Sequence, residues 1–217
     1  MSRAEIAYDF VLSSILDRKF LPGSPLIEAD LCRLLNMSRT PIREALNRLI
    51  AEKMVDFTRV RGFAVTVFSS EKIHQIYQVI EGLEGMMCYL IAKDYTEMDF
   101  TELREDLLEM EKAVPEKDWE TWVKADTRFH EAMQRCCKNS YLAEEVRRYN
   151  RPALHIRGII TRFYIDKDQS TRDHREMFDQ MVSGHAEEAR TAAHKHYNRI
   201  GNQVAVLINS GASLGGY

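Results

Sequence analysis

The sequence predicts a mostly α-helical protein: an N-terminal winged helix-turn-helix with a small β-hairpin, followed by an all-α helical bundle. Three observations carry that reading. Ser38 to Lys53, SRTPIREALNRLIAEK, sets apolar residues at helical spacing behind a polar, Arg-rich leading turn. Two short runs of strand-like composition, Val55–Thr58 and Phe63–Val67, follow it around Arg59-Val60-Arg61-Gly62. Beyond residue 68 there is no hairpin signal and little β-branched alternation, and helical periodicity takes over.

The chain opens with a helix. Ile6, Phe10, Val11, Ser14 and Ile15 share one face of MSRAEIAYDFVLSSILDRKF, an amphipathic pattern unlike a signal peptide. Glu28 to Leu35 forms a short second helix with Leu31, Leu34 and Leu35 inward, and Asn36-Met37 breaks it. Ser38 caps the third helix, its hydroxyl available to the free amides of the first turn. Pro41 falls in that turn, where a missing N–H costs little. Ile42, Ala45, Leu46, Leu49 and Ile50 form the buried face. Arg39, Thr40 and Arg43 stay at the exposed leading end, with Arg48 farther along. In a helix-turn-helix such leading residues reach base edges in the major groove. Arg binds guanine through two parallel hydrogen bonds, and a Thr methyl touches a thymine methyl. Gly62 supplies the positive φ that the hairpin needs, with Arg59 and Arg61 at its tip.

The stretch PGSPLIEADLCRLLNMSRTPIREALNRLIAEKMVDFTRVRGFAVTV resembles the DNA-binding domain of the GntR family of bacterial transcription regulators. The match runs from about Pro22 to Val67, with the cap, the Arg pair, the Leu spacing and the wing Arg-Gly in register. It implies a DNA-binding set of Ser38, Arg39, Thr40, Arg43, Arg61 and Gly62, the last two placing the wing at the minor groove. It also implies double-stranded operator DNA as the partner.

Composition frames this. An apolar content of 45% suits a globular core, and 29% charged residues a hydrated surface. No apolar run approaches the roughly 20 residues of a membrane span. The expectation is a cytoplasmic protein with no membrane partner. Cys32, Cys88, Cys136 and Cys137 lack CxxC spacing and read as reduced thiols. The net charge of −3 is unevenly spread. Residues 1–68 hold 10 Lys/Arg against 8 Asp/Glu, a net of +2; the rest hold 20 against 25, a net of −5, and all 7 histidines. A mildly basic head on an acidic, His-bearing body fits a DNA reader joined to a sensor, with domains at 1–68 and 69–217.

The body reads as helices. Ser70 caps Glu71–Lys93, whose inner face is Ile73, Ile76, Tyr77, Ile80, Leu83, Met87 and Leu90. Asp99–Ala113 is a charged helix, inward at Leu103, Leu107 and Met110 and followed by Pro115. Asp118 caps Trp119–Cys137. Ser140 caps a long helix toward Phe163, with Pro152 as a kink or break. A polar loop, Asp166–Ser170, precedes a helix over Thr171–Val182, and Gly184 separates that from a last helix, His185 to about Asn209. GASLGGY is a frayed tail.

Asp126 and His130 lie four residues apart and so project from one helix face. His174 and His196 sit in later helices. Three imidazoles and one carboxylate suit zinc, nickel or manganese, and mixed N/O donors choose weakly among these ions. Spacing alone equally allows ordinary core or surface histidines. The body, over about residues 70–208, resembles the FCD domain, the all-helical effector-binding module of FadR-type GntR regulators. Metal-binding members carry Asp-x-x-x-His, then a His, then a final His. Asp126-Thr127-Arg128-Phe129-His130, His174 and His196, 22 residues on, fill all four positions. The resemblance thereby implies a bound divalent metal ion and a small-molecule effector. His194 turns away from His196 on a helix, His185 starts the last helix, and His74 and His155 read as structural. There is one departure. The first bundle helix of the family carries an Arg three residues before a Leu-Glu pair, and here Ile80 precedes Leu83-Glu84. That Arg often faces the effector, and its fork suits a carboxylate. Arg157 and Arg162 are the candidate effector-binding substitutes.

The expected protein is a homodimeric regulator, a repressor, that reads a palindromic operator and answers to an organic acid bound at the metal. Other readings stay open from sequence. A metal sensor would answer to the ion itself, and the ion could be purely structural. A hydrolase would use an open metal position to activate water, though no general base lies at motif spacing.

Overall fold

Helix α1 (Arg3–Leu16) starts on a capping box: the Glu5 N–H donates to Ser2 Oγ at 3.1 Å, and the Ser2 N–H to the Glu5 carboxylate at 2.6 Å. The computed structural model describes residues 1–17, 19–160 and 166–209, with side chains described except at 151–160 and 208–209. Helix α1 buries Ala7, Tyr8, Val11, Ser14 and Ile15, while Ile6, expected inward, is exposed. Helix α2 (Glu28–Leu35) ends at Asn36 in the left-handed conformation, φ 51°. Leu31 is buried but Leu34 is on the surface, because α2 rests on α3 along a single stripe.

Helix α3 (Arg39–Ala51) buries Ile42, Ala45, Leu46 and Leu49. Ser38 has the extended N-cap backbone, φ −72° and ψ 168°, but its hydroxyl makes no capping bond. The start is set by backbone geometry, not by the side-chain cap that the sequence suggests. Strands β1 (Val55–Thr58) and β2 (Gly62–Val65) pair antiparallel, Val55 opposite Val65 and Thr58 opposite Gly62. Gly62 has φ +71°. The second edge of β2 is paired too: the Gly23 N–H donates to the Val65 carbonyl at 2.9 Å and the Leu26 N–H to that of Phe63 at 2.8 Å. Tyr8, Ile42, Leu46, Leu49, Val55 and Val65 close one core beneath the hairpin.

Helix α4 (Ser70–Lys93) is capped by Ser69, not Ser70; the Ser69 Oγ accepts from the Lys72 N–H at 3.2 Å. Helix α5 (Thr101–Glu116) includes Pro115, which the sequence placed beyond its end; the ring has no N–H for the Glu111 carbonyl, and the helix stops one residue later. Helix α6 (Trp119–Cys136) is capped by Asp118, as expected. Helix α7 (Ser140–Ile160) is capped by Asn139, whose Oδ1 accepts from the Leu142 N–H at 3.1 Å, and its backbone runs on through Pro152. Helix α8 (Lys167–Val182) begins a turn earlier than its polar sequence suggests, because the Asp166 carboxylate accepts from the Gln169 N–H at 3.0 Å. Helix α9 (Ala186–Asn209) follows Gly184.

Helices α4 and α9 pack along most of their length. Gly85 of α4 lies under the His194 ring, where a Cβ would collide. Two apolar clusters fill the bundle. One gathers Met87, Leu107, Trp122, Phe129 and Phe178; the other gathers Ile73, Tyr77, Ile80, Tyr197 and Val204. Ile80 is fully buried in the second, which also holds Tyr197, so the position where the resemblance implies an Arg belongs to an apolar core.

Helix α7 also touches the head. The Arg148 Nε donates to the Ala51 carbonyl, at the C-terminal end of α3, at 3.3 Å. A cleft of about 420 Å³ opens there between Arg48, Glu52, Glu145 and Arg148. The four cysteines are unbridged, and no described helix is long and apolar enough to cross a membrane.

Candidate functional site

Helices α6, α8 and α9 converge on a buried cluster. Asp126 and His130 lie one turn apart on α6, His174 joins them from α8, and His196 from α9. All four are at most 3% exposed. Nε2 of His174 lies 3.1 Å from Nε2 of His130 and 3.3 Å from Asp126 Oδ1. Nε2 of His130 lies 3.8 Å from the same oxygen. One nitrogen from each of the three histidines falls within 4.8 Å of the others. Around an ion with bonds of about 2.1 Å, neighbouring donors sit roughly 3–4 Å apart, so the set fits a divalent ion with small adjustments.

The opposite ring nitrogens are held in place. The His174 Nδ1–H donates to the Ser170 carbonyl at 2.6 Å, which leaves Nε2 of the neutral ring as a lone pair. His196 Nδ1 lies 3.1 Å from Asp173 Oδ2, and His130 Nδ1 lies 3.1 Å from the Tyr197 hydroxyl. Two imidazole nitrogens facing at 3.1 Å need a proton or a cation between them, because bare lone pairs would repel. Burial pushes the Asp173 carboxyl up, but hydrogen bonds from His196, Gln169 and Arg199 outweigh it and hold the carboxyl well below the usual range. Sequence reasoning missed Ser170, Asp173 and Tyr197. Their only signal was position: Asp173 precedes one histidine, Tyr197 follows another, and Ser170 stands one turn before His174.

A second buried polar pair lies one turn beyond Ile80. Asn150 Nδ2 of α7 donates to Glu84 Oε1 of α4 at 2.6 Å, with both residues at most 3% exposed. Of the candidate effector residues, Arg162 and the side chain of Arg157 lie outside the described residues, as does the side chain of His155. His194 faces Glu81 at 3.5 Å, away from the cluster.

At the head, Ser38, Arg39 and Thr40 are exposed at the start of α3, and Arg61 at the hairpin tip beside Gly62. The Arg61 backbone N–H donates to Thr58 Oγ1 at 3.1 Å, which fixes that tip. Arg43 reaches back to α2 and pairs with Glu28 through both carboxylate oxygens, at 2.8 Å and 3.0 Å. The Arg43 hydrogen bonds hold the Glu28 carboxyl below its ordinary range.

Residues 3–65 match the bacterial regulatory proteins of the gntR family, and residues 75–199 match the FCD domain. An uncharacterized HTH-type transcriptional regulator of Bacillus subtilis is 25% identical over 207 residues, covering 94% of this chain and 92% of its own. The gluconate operon transcriptional repressor of Bacillus licheniformis is 30% identical over 120 residues, 55% of this chain and 49% of its own. The solved structure of Escherichia coli McbR/YncC superposes with a TM-score of 0.73 at 21% identity, over 97% of this chain and 99% of that one. These relatives regulate transcription, and the hydrolase alternative falls with them. With a helix-turn-helix head and an FCD body in sequence and fold alike, the chain belongs to the GntR family of transcription regulators.

Proposed function

We propose that this GntR regulator is a homodimeric repressor whose hold on a palindromic operator is set by a small carboxylate bound at a metal centre. The observation that carries the proposal is the convergence of His130, His174 and His196 on one point, with Asp126 Oδ1 3.3 Å from His174 Nε2. Zinc, nickel or manganese suits that donor set, and a bound ion supplies a Lewis-acidic position open to an organic acid. Asp126, His130, His174 and His196 hold the ion. At the head, Arg39, Thr40 and Arg43 read bases, and Ser38, Arg61 and Gly62 bring backbone and wing to the phosphates and the minor groove. Two copies on one two-fold axis match a two-fold operator. The acid regulates only through unequal affinity for the DNA-bound and free arrangements. The repressor assignment rests on relatives that carry that name.

The test is elemental analysis of untagged protein beside His174→Ala and His196→Ala, followed by operator titrations with and without small acids. Near one metal per chain, lost in both variants, and release of DNA by an acid only when metal is present are the expected results. Protein that takes up no zinc, nickel or manganese would sink the metal centre. Metal-dependent DNA binding indifferent to every acid would make the ion itself the signal.

A further inference from the structure

We propose that Asp173 is a positioning residue for the metal centre, aiming His196 from a neighbouring helix. The inference rests on the metal-centre reading above and extends it to a residue outside the ligand set. Adjacent residues on a helix point about 100° apart. His174 therefore turns into the cluster while Asp173, one position earlier, lies in the seam between α8 and α9. There its Oδ2 meets His196 Nδ1 at 3.1 Å and the Arg199 guanidinium at 3.0 Å and 2.5 Å. The other oxygen is held from within α8: Gln169 Nε2, one turn earlier, donates to Asp173 Oδ1 at 2.8 Å. The carboxylate is thus fixed from two helices and is only 13% exposed.

A carboxylate on the far nitrogen of an imidazole selects the tautomer whose other nitrogen is free to bind metal. It also fixes the ring and makes it a better donor. The pattern repeats along the cluster. Helix α8 gives His174 and holds His196 of α9; α9 gives His196 and, through Tyr197, holds His130 of α6 at 3.1 Å. His174 is held by its own helix, through the Ser170 carbonyl. Each of the three histidines is braced by a residue of a ligand-bearing helix, so the three helices share one arrangement.

The test compares wild type with Asp173→Ala, Asp173→Asn and Arg199→Ala. Zinc affinity is measured by competition with a chromophoric chelator, and site geometry by the visible absorption of bound cobalt(II). Asp173→Ala is expected to bind zinc about 10–100-fold more weakly and to alter the cobalt spectrum. Asp173→Asn keeps an oxygen acceptor for the imidazole N–H and is expected to recover most of the loss. Arg199→Ala breaks the ion pair but leaves the carboxylate on His196, so its loss should be the smaller one. Melting of the metal-free proteins controls for folding, and the asparagine variant keeps the test sound if the alanine variant is unstable. Wild-type zinc affinity and an unchanged cobalt spectrum in Asp173→Ala would overturn the positioning role alone. A wild type that binds neither ion would overturn it together with the metal centre.

Discussion

Arg43 of α3 and Glu28 of α2 are joined at two points, Nε to Oε1 at 2.8 Å and Nη2 to Oε2 at 3.0 Å. The pair ties the start of α2 to the second turn of α3 and fixes one orientation of the guanidinium. Two of its five donors are engaged, and the others remain for DNA. Arg43→Ala should abolish specific operator binding with the fold intact, since a good bidentate contact is worth about 1–3 kcal/mol of base discrimination. Glu28→Ala should keep non-specific binding and narrow the gap between operator and random DNA. Fluorescence anisotropy on both duplexes checks this. Unchanged operator affinity in Arg43→Ala would remove that residue from the reading surface.

The same pair has a direction with pH. Glu28 titrates below its ordinary value of 4.5 in the folded protein, chiefly through its hydrogen bond with Arg43. A lowered carboxyl contributes its stability above the unfolded value and loses it as pH falls through the folded one. Wild-type and Glu28→Gln heads should therefore differ in stability at neutral pH and converge in acid below 4.5. Arg43 is largely in solvent and Glu28 partly so, which keeps the difference small and makes it shrink with salt. Denaturant titrations across pH measure it, and a gap that widens in acid would contradict the assignment.

Gly62 has open space where a Cβ would stand, yet its φ is +71°. Gly62→Ala should thus destabilise through backbone strain alone, by about 1–2 kcal/mol, with no collision to relieve. Urea denaturation of the whole protein reports it. A neutral substitution would show that the hairpin tip can be rebuilt around another turn.

The proposed metal centre predicts that a chelator lowers the melting temperature, because an ion that binds only the folded bundle stabilises it by mass action. At 100 times its dissociation constant the contribution is about 2.7 kcal/mol. Chelator should shift the melt of wild type and leave His174→Ala where it was. Equal shifts in both would mean that the chelator acts elsewhere.

The elements that carry periodic apolar faces were legible in the sequence, and so were the four members of the buried cluster. Asp126 and His130 are a helical turn apart, and that spacing survives any tertiary arrangement. Caps were less legible. Ser69, Asn139 and Asp166 do the work expected of Ser70, Ser140 and a loop, because adjacent polar residues compete for one N-cap and only the entering chain decides. The surface position of Leu34 was hidden for a related reason: which stripe of a two-turn helix is covered depends on its neighbour. The supports of the histidines were invisible in one dimension. Asp173 and His196 are 23 residues apart, and His130 and Tyr197 are 67 apart, so no spacing rule links them.

Arg148 gives α7 a footing on the head, and Asn150, two residues on, roots the same helix against Glu84 inside the bundle. Arg148 is about 12 Å along the axis from the first residue of α7 but only about 3 Å from Asn150. Residues two apart on a helix point about 200° from one another, so head and bundle grip α7 from opposite sides at one level. A tilt about that level leaves both bonds nearly in place, whereas a slide or a roll of the helix displaces both together.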